Sequence, residues 1–397
     1  MNVVINGMAA IERKTGVGHY IDRVHREIAG RNPGGSVRLF PGDLMRPLAA
    51  TLAPQSRKIA ASSQEGGRGW RHSLGTLAKQ SGRAAAQAYF SAYTTAQRFD
   101  LYHEPNYIPF RTSLPTVITA HDLSVLLHPE WHPAERVAIH HAKFRQAVER
   151  AAHVITGSEQ VRRELLAAIP LKPENVTAIY YGIGEEFRPL PNDVIDEART
   201  RLKLPERFLL YVGAVEPRKN LLVALKAFVD LPPVLRNRCP FVLAGPWAWK
   251  AADVADYFQH VAIPAGVRHL GYVSDADRVA LYNAASAVIY PSRYEGFGLP
   301  PVEMLACGGG VLAGTAKAVV EVLGKHGHFI DPDDATGWRD AMAAVATDDD
   351  FLSASKRGGI GHARQFTWER TAKLTIDVYR NVLGLPHPST LSHRAAA

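Results

Sequence analysis

Cysteine is almost absent from this chain, which has only Cys239 and Cys307 among its 397 residues. Two cysteines cannot build a disulfide scaffold, so the chain fits a reducing cytosol, and lone buried thiols are the simplest interpretation of both. Long apolar runs are absent as well, which excludes a membrane-spanning helix in the sequence given. The N-terminal stretch MNVVINGMAAIERK has too short an apolar run and the wrong charge order for a signal peptide. We therefore expect a cytoplasmic protein.

Acidic residues are scarce in one segment. Between Arg46 and Arg98, eight basic residues face one acid, Glu65, so this segment supplies +7 of the formal net charge of +8. The segment also carries large apolar side chains: Trp70, Leu74, Leu77, Tyr89, Phe90 and Tyr93. Such a composition is typical of a basic amphipathic surface that binds anionic membranes, and equally of a solvated basic loop and helix. No helix-turn-helix, zinc-finger or RNA-binding signature accompanies the charge, so we expect no nucleic-acid partner.

Short apolar strands alternate with helical patterns along the chain, which is typical of parallel α/β sheets. The first series of strands is VVIN, SVRLF, FDLYH, TVITAH, AHVITGS and VTAIYY, with helices around 18–30, 133–150 and 158–168. The second series is FLLYVGAV, FVLAG, VRHLGYV, AVIYPS, GVLAG and HFI. The charged, proline-rich stretch 185–206 separates the two series and is the predicted linker. We therefore predict two Rossmann-like domains, 1–184 and 207–366.

The motif EGFGLPPVE places two carboxylates, Glu295 and Glu303, around a glycine-rich turn after the predicted strand AVIYPS. Pro300 and Pro301 suit the first turn of a helix, where a missing N–H costs nothing. Both carboxylates and several backbone N–H groups are then expected in the crevice at the carboxyl end of a strand, where open α/β sheets bind ligands. Carboxylates there can accept hydrogen bonds from sugar hydroxyls while the N–H groups face an anion.

Two basic residues, Arg218 and Lys219, lie in GAVEPRKN between the strand FLLYV and a predicted helix. A leaving diphosphate needs fixed positive charge, which an arginine–lysine pair can supply without a metal. Asn220 is predicted to cap the helix that follows. The acidic stretch IDPDD (330–334) resembles a metal-binding Asp-x-Asp, but its place before a helix favours helix-capping acids, so we predict no metal site.

Two features of the first half complete the set. Gly16 and Gly18 in TGVG follow the strand VVIN and permit close approach of backbone to a ligand. His121 ends the strand TVITAH at the carboxyl edge of the first predicted sheet, and Asp122 is expected to orient the loop or His121. A lone histidine is more often structural than functional. The HD pair at this position favours function.

The whole pattern resembles retaining, nucleotide-sugar-dependent glycosyltransferases of family 4, which have the GT-B fold. The motifs that carry the resemblance occur in the family's order: TGVGHY, HEPNYIP, TAHDLS, ITGSEQVRREL, YYGIGEEFRP, GAVEPRKN and the Glu-x7-Glu stretch. Two positions depart from the family. Ala214 stands where some members have an arginine, and Val320 stands where a proline usually precedes the glutamate matching Glu321.

The resemblance implies an α/β fold of two Rossmann-like domains facing each other across a cleft. It implies that the last helix, about 367–383, crosses back to the first domain; the aperiodic tail 384–397 is expected to be mobile. The implied catalytic residues are His121, Glu295, Arg218 and Lys219. The implied donor-binding residues are Gly16, Gly18, Arg218, Lys219, Glu295, Gly296, Phe297, Gly298, Leu299 and Glu303.

The expected activity is transfer of a hexose with retention of anomeric configuration, without a metal or other cofactor. The sequences RKTGVGHY and HDLSVLLHPEWHP most resemble those of bacterial mannosyltransferases of exopolysaccharide or O-antigen synthesis. The expected donor is GDP-mannose, and the expected acceptor is a hydroxyl of a lipid-linked saccharide at the inner face of the membrane. The alternatives are a UDP-sugar donor, a nucleotide-sugar epimerase on the same fold, and a catalytically silent binding protein.

Overall fold

The computed structural model describes residues 1–11, 16–32, 34–42 and 70–386, with the backbone alone for 70–83 and 354–355. Residues 46–69 of the basic segment predicted to contact membranes, and all but 384–386 of the predicted mobile tail, lie outside these residues. Within the described part, no helix is both long enough and apolar enough to cross a membrane. Cys239 and Cys307 are both free and buried, as expected.

The first domain is built on a parallel six-stranded sheet of order β2-β1-β3-β4-β5-β6. Its strands are β1 (Val3–Asn6), β2 (Val37–Phe40), β3 (Leu101–Glu104), β4 (Thr116–Ala120), β5 (His153–Thr156) and β6 (Val176–Ala178). The central strands are buried along their length, which explains why runs such as VVIN are continuously apolar rather than alternating. Each of the six predicted strands of this half is present.

The helices of the first domain cover this sheet. They are α1 (Gly16–Gly30), α2 (Trp70–Gln97), α3 (Ser124–Leu127), α4 (Ala134–Arg150) and α5 (Glu159–Ala168). The long helix α2 was not predicted as a separate element. Its Phe90 is fully buried, and Tyr89 and Tyr93 pack with it around Phe40. These three aromatic side chains of the basic segment therefore belong to the protein core.

The second domain repeats the plan with a parallel six-stranded sheet of order β12-β11-β10-β7-β8-β9. Its strands are β7 (Leu209–Val212), β8 (Phe241–Ala244), β9 (Arg268–His269), β10 (Ala287–Tyr290), β11 (Gly310–Gly314) and β12 (His328–Ile330). The helices from the linker onward are α6 (Asn192–Leu202), α7 (Leu221–Val229), α8 (Pro233–Arg238), α9 (Ala252–Tyr257), α10 (Asp275–Ala284), α11 (Leu299–Ala306), α12 (Lys317–Leu323), α13 (Ala335–Thr347), α14 (Ser353–Lys356), α15 (Gly359–Ala363) and α16 (Trp368–Val382). Helix α6, inside the stretch predicted as linker, packs against α10.

The strand order reverses once in each sheet, between β1 and β3 in the first and between β7 and β10 in the second. At such a switch point the connections leave in opposite directions, which opens a crevice at the carboxyl ends of the two strands. Residues that follow β7 and β10 therefore meet in space although they are far apart in sequence. This topology positions the candidate site.

The two domains share apolar contacts. Phe297 of the second domain packs against Tyr181, with ring centroids 5.1 Å apart, and one buried cluster runs through both domains. Helix α16 packs against α1 of the first domain. There the hydroxyl of Tyr379 lies 2.6 Å from Nδ1 of the buried His103.

Candidate functional site

The loop after β7 brings Arg218 and Lys219 to the switch point of the second sheet. The loop closes with a short 3-10 turn at Pro217–Lys219. Asn220 then adopts a left-handed conformation, with φ of 52°, and makes no side-chain capping bond to α7. The prediction that Asn220 caps this helix is wrong, because that backbone conformation is not the extended one of an N-cap. Its amide instead donates to the carbonyl of Pro332 at 2.7 Å.

Glu295, which follows β10, binds both cations. One carboxylate oxygen lies 2.5 Å from Nη1 of Arg218 and the other lies 2.5 Å from Nζ of Lys219. A second acid, Glu216, lies 2.7 Å from Nε of Arg218. Lys219 also donates to the hydroxyl of Tyr290 at 3.0 Å. We call Glu216, Arg218, Lys219 and Glu295 the charged cluster.

The pKa values follow from burial and pairing. Burial raises the pKa of Glu295, but the charges of Arg218 and Lys219 outweigh it and lower the value to about 2. Burial lowers the pKa of Arg218, but Glu295 and Glu216 raise it well above its ordinary value. For Lys219 burial is the stronger effect, and its pKa is lowered despite Glu295. Glu295 is therefore an ionised acceptor at neutral pH and cannot act as an acid.

The charged cluster is electrically balanced, because its two cations face two carboxylates. A further carboxylate approaches from the first domain: the charge of Arg218 helps to lower the pKa of Asp122 against the effect of burial. Asp122 also accepts hydrogen bonds from the amide and the hydroxyl of Ser124, at 2.9 and 2.7 Å, so it orients its own loop as predicted. A bound diphosphate would have to draw Arg218 and Lys219 away from these carboxylates.

The glycines of EGFG are explained by close approach and by backbone conformation. A Cβ atom on Gly296 would lie 1.8 Å from the carbonyl oxygen of His121, so only glycine permits this contact between the domains. Gly298 has φ of 101° and precedes α11, in which Pro300 lies in the first turn as predicted. None of the amide N–H groups of 296–299 donates a hydrogen bond to another residue that the structure describes. Such amides at a helix N-terminus are suited to an anion.

Two of the implied donor-binding residues, Phe297 and Glu303, have side chains that lie away from the charged cluster. The side chain of Phe297 is only 3% exposed and packs against aromatic rings, so any role for Phe297 in binding must fall to its backbone. Glu303 is buried apart from the charged cluster. It accepts from the hydroxyl of Tyr282 at 2.8 Å and lies 3.7 Å from Arg278, and burial raises its pKa.

His121 lies at the end of β4, on the opposite side of the cleft, and both of its ring nitrogens are already bonded within the protein. Nε2 donates to the carbonyl of Pro105 at 2.7 Å, and Nδ1 lies 2.7 Å from the hydroxyl of Tyr181. Because a carbonyl can only accept, the neutral ring carries its proton on Nε2 and Nδ1 accepts from Tyr181. Burial lowers the pKa of His121 to about 4, so the ring is neutral at pH 7. This geometry suits a positioning or contact role better than that of a proton acceptor.

Gly16 and Gly18 open helix α1, whose first turn faces the second domain. Nε2 of His19 lies 3.6 Å from the carboxylate of Asp275 at the start of α10. A Cβ on Gly16 would meet no atom of the described residues within 4 Å, so none of their backbone makes a close approach that requires glycine here. The donor-binding role of both glycines stays a prediction.

Several residues that close the cleft were not found from the sequence. Glu321 accepts from the amides of Glu159 and Gln160, both at 2.7 Å, and so caps α5 of the opposite domain. The hydroxyl of Tyr294 accepts from the amide of Leu123 at 3.0 Å and donates to Glu164 at 2.7 Å. No local pattern signals these contacts, because each joins residues that are distant in sequence.

The acidic stretch 330–334 forms the predicted helix cap, since Asp334 accepts from the amide of Gly337 at 2.9 Å. Asp333 instead pairs with Arg293 at 2.5 Å. Among the residues that the structure describes, no group of three or more histidine, cysteine or acidic side chains is placed to hold a metal ion.

Comparison with known proteins agrees with the two-domain arrangement. Residues 15–187 match the family "Glycosyltransferase Family 4", and residues 194–359 match "Glycosyl transferases group 1". The chain is 30% identical over 282 residues to the O-antigen chain mannosyltransferase B of Escherichia coli, covering 70% of this chain and 74% of that protein. It is 29% identical over 283 residues to the serotype-specific mannosyltransferase WbdA of Escherichia coli, which covers 68% of this chain but only 34% of WbdA.

Among solved structures, the fold is similar to that of HepE from Anabaena in complex with UDP-glucose. The TM-score is 0.70 at 17% identity, with 97% of this chain and 100% of that chain covered. The two parallel sheets facing each other across a cleft are thus those of the GT-B fold.

Proposed function

Because this chain belongs to glycosyltransferase family 4, we propose that it transfers mannose from GDP-mannose to a hydroxyl of a saccharide acceptor, with retention of anomeric configuration. The observation that carries the proposal is the charged cluster at the switch point of the second sheet. Arg218 and Lys219 bind Glu295 there, and the next four amides, 296–299, donate to no other residue that the structure describes. Together these groups provide the fixed donors that a leaving diphosphate requires.

In this proposal Glu295 changes partners when the donor binds. Without a donor its carboxylate neutralises both cations at 2.5 Å. As the diphosphate takes over Arg218 and Lys219, Glu295 is released to accept hydrogen bonds from hydroxyls of the hexose. Before the donor binds, the charges of Arg218 and Lys219 outweigh the effect of burial and hold the pKa of Glu295 at about 2, so the carboxylate is ionised. Buried donors and acceptors that are already in place need little reorganisation during the reaction.

The acceptor side of the cleft is proposed to be the carboxyl edge of the first sheet. His121 approaches the second domain there, with its backbone carbonyl against Gly296. Since both ring nitrogens of His121 are occupied by Pro105 and Tyr181, the proton of the attacking hydroxyl is proposed to leave with the diphosphate on the same face of the sugar. That route leads to retention, and it needs no covalent glycosyl-enzyme.

The choice of mannose rests on the two mannosyltransferase relatives. A UDP-sugar is the second candidate, since the similar HepE structure holds UDP-glucose. Thermal melting with GDP-mannose, GDP-glucose, UDP-glucose and UDP-galactose separates these donors. A ligand at 100 times its dissociation constant stabilises the folded state by about 2.7 kcal/mol. We expect GDP-mannose to give the largest shift, and a larger shift with UDP-glucose would reassign the donor.

The stereochemistry is tested on the product. Transfer from α-linked GDP-mannose to a synthetic mannoside acceptor should give an α-linked disaccharide by NMR. A β-linked product would contradict retention, and an altered nucleotide sugar without any disaccharide would favour an epimerase.

We further propose that the reaction needs no metal, because Arg218, Lys219 and the amides of 296–299 take its place. Turnover after exhaustive EDTA treatment should match that of untreated enzyme. Loss of activity with EDTA and recovery with magnesium or manganese would contradict the proposal.

A lipid-linked acceptor at the cytoplasmic face of the membrane completes the proposal, on the basis of the basic segment 46–98. Basic residues near an anionic surface contribute about 1 kcal/mol each. We expect salt-sensitive binding to phosphatidylglycerol vesicles and little binding to phosphatidylcholine vesicles. A variant with Arg68, Arg71, Lys79 and Arg83 changed to glutamine should lose vesicle binding but keep its affinity for the donor. Equal binding to both kinds of vesicle, or to neither, would contradict this part.

A further inference from the structure

A cavity of about 590 Å³ lies outside the charged cluster, where the chain crosses between the domains. Its walls come from α1 of the first domain, from the crossing segment 183–189 and from residues 360–369 before and at the start of α16. We call it the hinge cavity. Arg218, Lys219 and Glu295 are not among its lining residues.

Five arginines line the hinge cavity, and two of them are paired with acids. Arg23 binds Glu186, and Arg31 binds Glu27 and also lies 3.4 Å from Glu369. These two arginines face three carboxylates, so the paired part of the wall carries a formal charge of −1.

The other three arginines, Arg26, Arg188 and Arg364, are exposed and have no acidic partner among the described residues. The lining contains one remaining acid outside those pairs, Glu185. In total, five arginines and four glutamates line the cavity, so its formal charge is +1. The positive side chains that remain available to a ligand are those of the three arginines without an acidic partner.

The three unpaired arginines come from different parts of the fold. Arg26 lies on α1 of the first domain, Arg188 lies in the crossing segment, and Arg364 follows α15, which packs against α11 of the second domain. Guanidinium groups bind phosphate through two parallel N–H donors, which makes arginine the usual residue at phosphate sites. One anion in the cavity could therefore contact both domains at once.

We infer that the hinge cavity is a second anion-binding site that takes a phosphate-bearing ligand and links the two domains. Its size suits a ligand larger than a single ion, and buried Phe187 and Trp368 supply apolar wall for the remainder of such a molecule. The inference concerns a site separate from the donor cleft and stands whether or not the transfer reaction is as proposed.

Binding of inorganic diphosphate, measured by calorimetry at low ionic strength, tests the inference. All proteins carry Lys219→Met, which weakens binding in the donor cleft. Substitution of Arg26, Arg188 and Arg364 by glutamine should lower the affinity about 100-fold or more, since one lost charge-assisted contact costs about tenfold. The matched control changes Arg38, Arg111 and Arg150, which are exposed and also outside any described ion pair. It should change the affinity less than about threefold, because only general charge is lost.

Absence of binding in the Lys219→Met protein, or equal effects of the two triple variants, would overturn the inference. Crystals soaked in tungstate give a check that does not depend on variants. An anomalous peak within hydrogen-bond distance of at least two of the three arginines supports the site, whereas peaks confined to the donor cleft contradict it.

Phosphatidic acid vesicles distinguish two sources of the phosphate when every protein also carries glutamine in place of Arg68, Arg71, Lys79 and Arg83, so that the basic segment does not bind the vesicles. Loss of vesicle binding in the hinge triple variant alone would identify a lipid headgroup as the ligand. Equal vesicle binding by the two triple variants, together with unequal diphosphate binding, would identify a soluble ligand.

Discussion

The two switch points of this molecule have the same topology, and each holds a buried glutamate with a different set of donors. In the second sheet, the ends of β7 and β10 hold the charged cluster, in which Glu295 joins Arg218 and Lys219. In the first sheet, Asn6 ends β1 and Glu104 ends β3, and their side chains are bonded at 2.7 Å. Glu104 also accepts from the hydroxyl of Tyr102 at 2.6 Å and from the amide of Asn106 at 2.8 Å. These three contacts of Glu104 come from uncharged donors, whereas the contacts of Glu295 named above come from cations.

This difference is consistent with the proposal that the two sheet edges bind different substrates. Cations fixed beside open amides suit a ligand that gains negative charge during reaction. A carboxylate held by amide and hydroxyl donors suits a ligand that remains neutral, such as a saccharide hydroxyl. In the proposed function, the edge of the second sheet receives the donor and the edge of the first sheet receives the acceptor. Substitutions at the two edges should therefore have different effects on the binding of donor and acceptor.

The largest effect is expected for Lys219→Met. Loss of one preorganised donor to developing charge should lower kcat by about 100-fold or more. Lys226→Met is the matched control, because Lys226 is exposed on the neighbouring helix α7 and the change in charge is the same. Near-normal turnover of the Lys219 variant would contradict the assignment of the charged cluster to the donor site.

Glu295→Gln tests the balance of charge within the cluster. It leaves two buried cations without their shared carboxylate, and breaking a buried ion pair in this way costs about 3–5 kcal/mol. We expect a clear fall in the urea unfolding midpoint, partly recovered by a nucleoside diphosphate that supplies the missing negative charge. Glu197→Gln, at an exposed position on α6, should unfold like the native protein. A Glu295 variant as stable as this control would mean that the cluster is not held by charge pairing.

The stability of the first domain should depend on pH through two buried histidines. Burial lowers the pKa of His103 to about 3 and that of His121 to about 4. The unfolded chain binds protons below its ordinary histidine pKa of about 6.5, and the folded chain does not until lower pH. The free energy of unfolding should therefore fall as pH is lowered from about 6.5 towards 4. The lowered carboxylate pKa of Glu295 adds a loss in the same direction below about 4.5.

His121→Asn should reduce this acid sensitivity, by about 1.4 kcal/mol for each unit by which the histidine pKa is lowered. His141→Asn should not, because His141 is exposed on α4. Thermal melting of the three proteins between pH 4.5 and pH 7 measures the difference. Parallel curves for the native protein and both variants would show that His121 does not titrate as its burial requires.

The smallest effect is expected for Tyr181→Phe, which removes the hydroxyl bonded to Nδ1 of His121. Loss of one buried hydrogen bond should cost about 1 kcal/mol. If the first edge binds the acceptor, the acceptor KM should rise while the thermal shift by the donor stays unchanged. Tyr20→Phe is the control, since its hydroxyl lies 3.2 Å from Thr119 and not at a nitrogen of His121. A smaller thermal shift by the donor in the Tyr181 variant would contradict the assignment of donor and acceptor to separate edges.

The sequence predicted the sheets well because strand signals are local. Runs such as VVIN, GVLAG and HFI coincide with β1, β11 and β12. Helix α2 was missed because its segment is polar and basic, and its apolar face is visible only against Phe40. Helix α6 was missed because prolines and charges around it suggested a linker.

The charged cluster could be anticipated only in part. Arg218, Lys219 and Glu295 were singled out by their positions after strands, and the switch-point topology brings them together. The role of Glu216 as a second partner of Arg218 has no local signal. The same holds for Tyr181 at His121 and for Glu321 at α5, because such pairings depend on how the two domains close. The prediction that Asn220 caps α7 was wrong for a local reason. Its backbone is left-handed, and its side chain makes no capping bond.

A crystal structure of the protein with GDP-mannose tests the central claim most directly. If the charged cluster is the donor site, the diphosphate lies within hydrogen-bond distance of Arg218, Lys219 and at least one amide of 296–299. Glu295 should also have turned from the cations to hydroxyls of the mannose, with the open acceptor space next to His121. A diphosphate bound at the edge formed by Asn6 and Glu104, or a Glu295 still bridging both cations beneath the bound donor, would contradict this assignment.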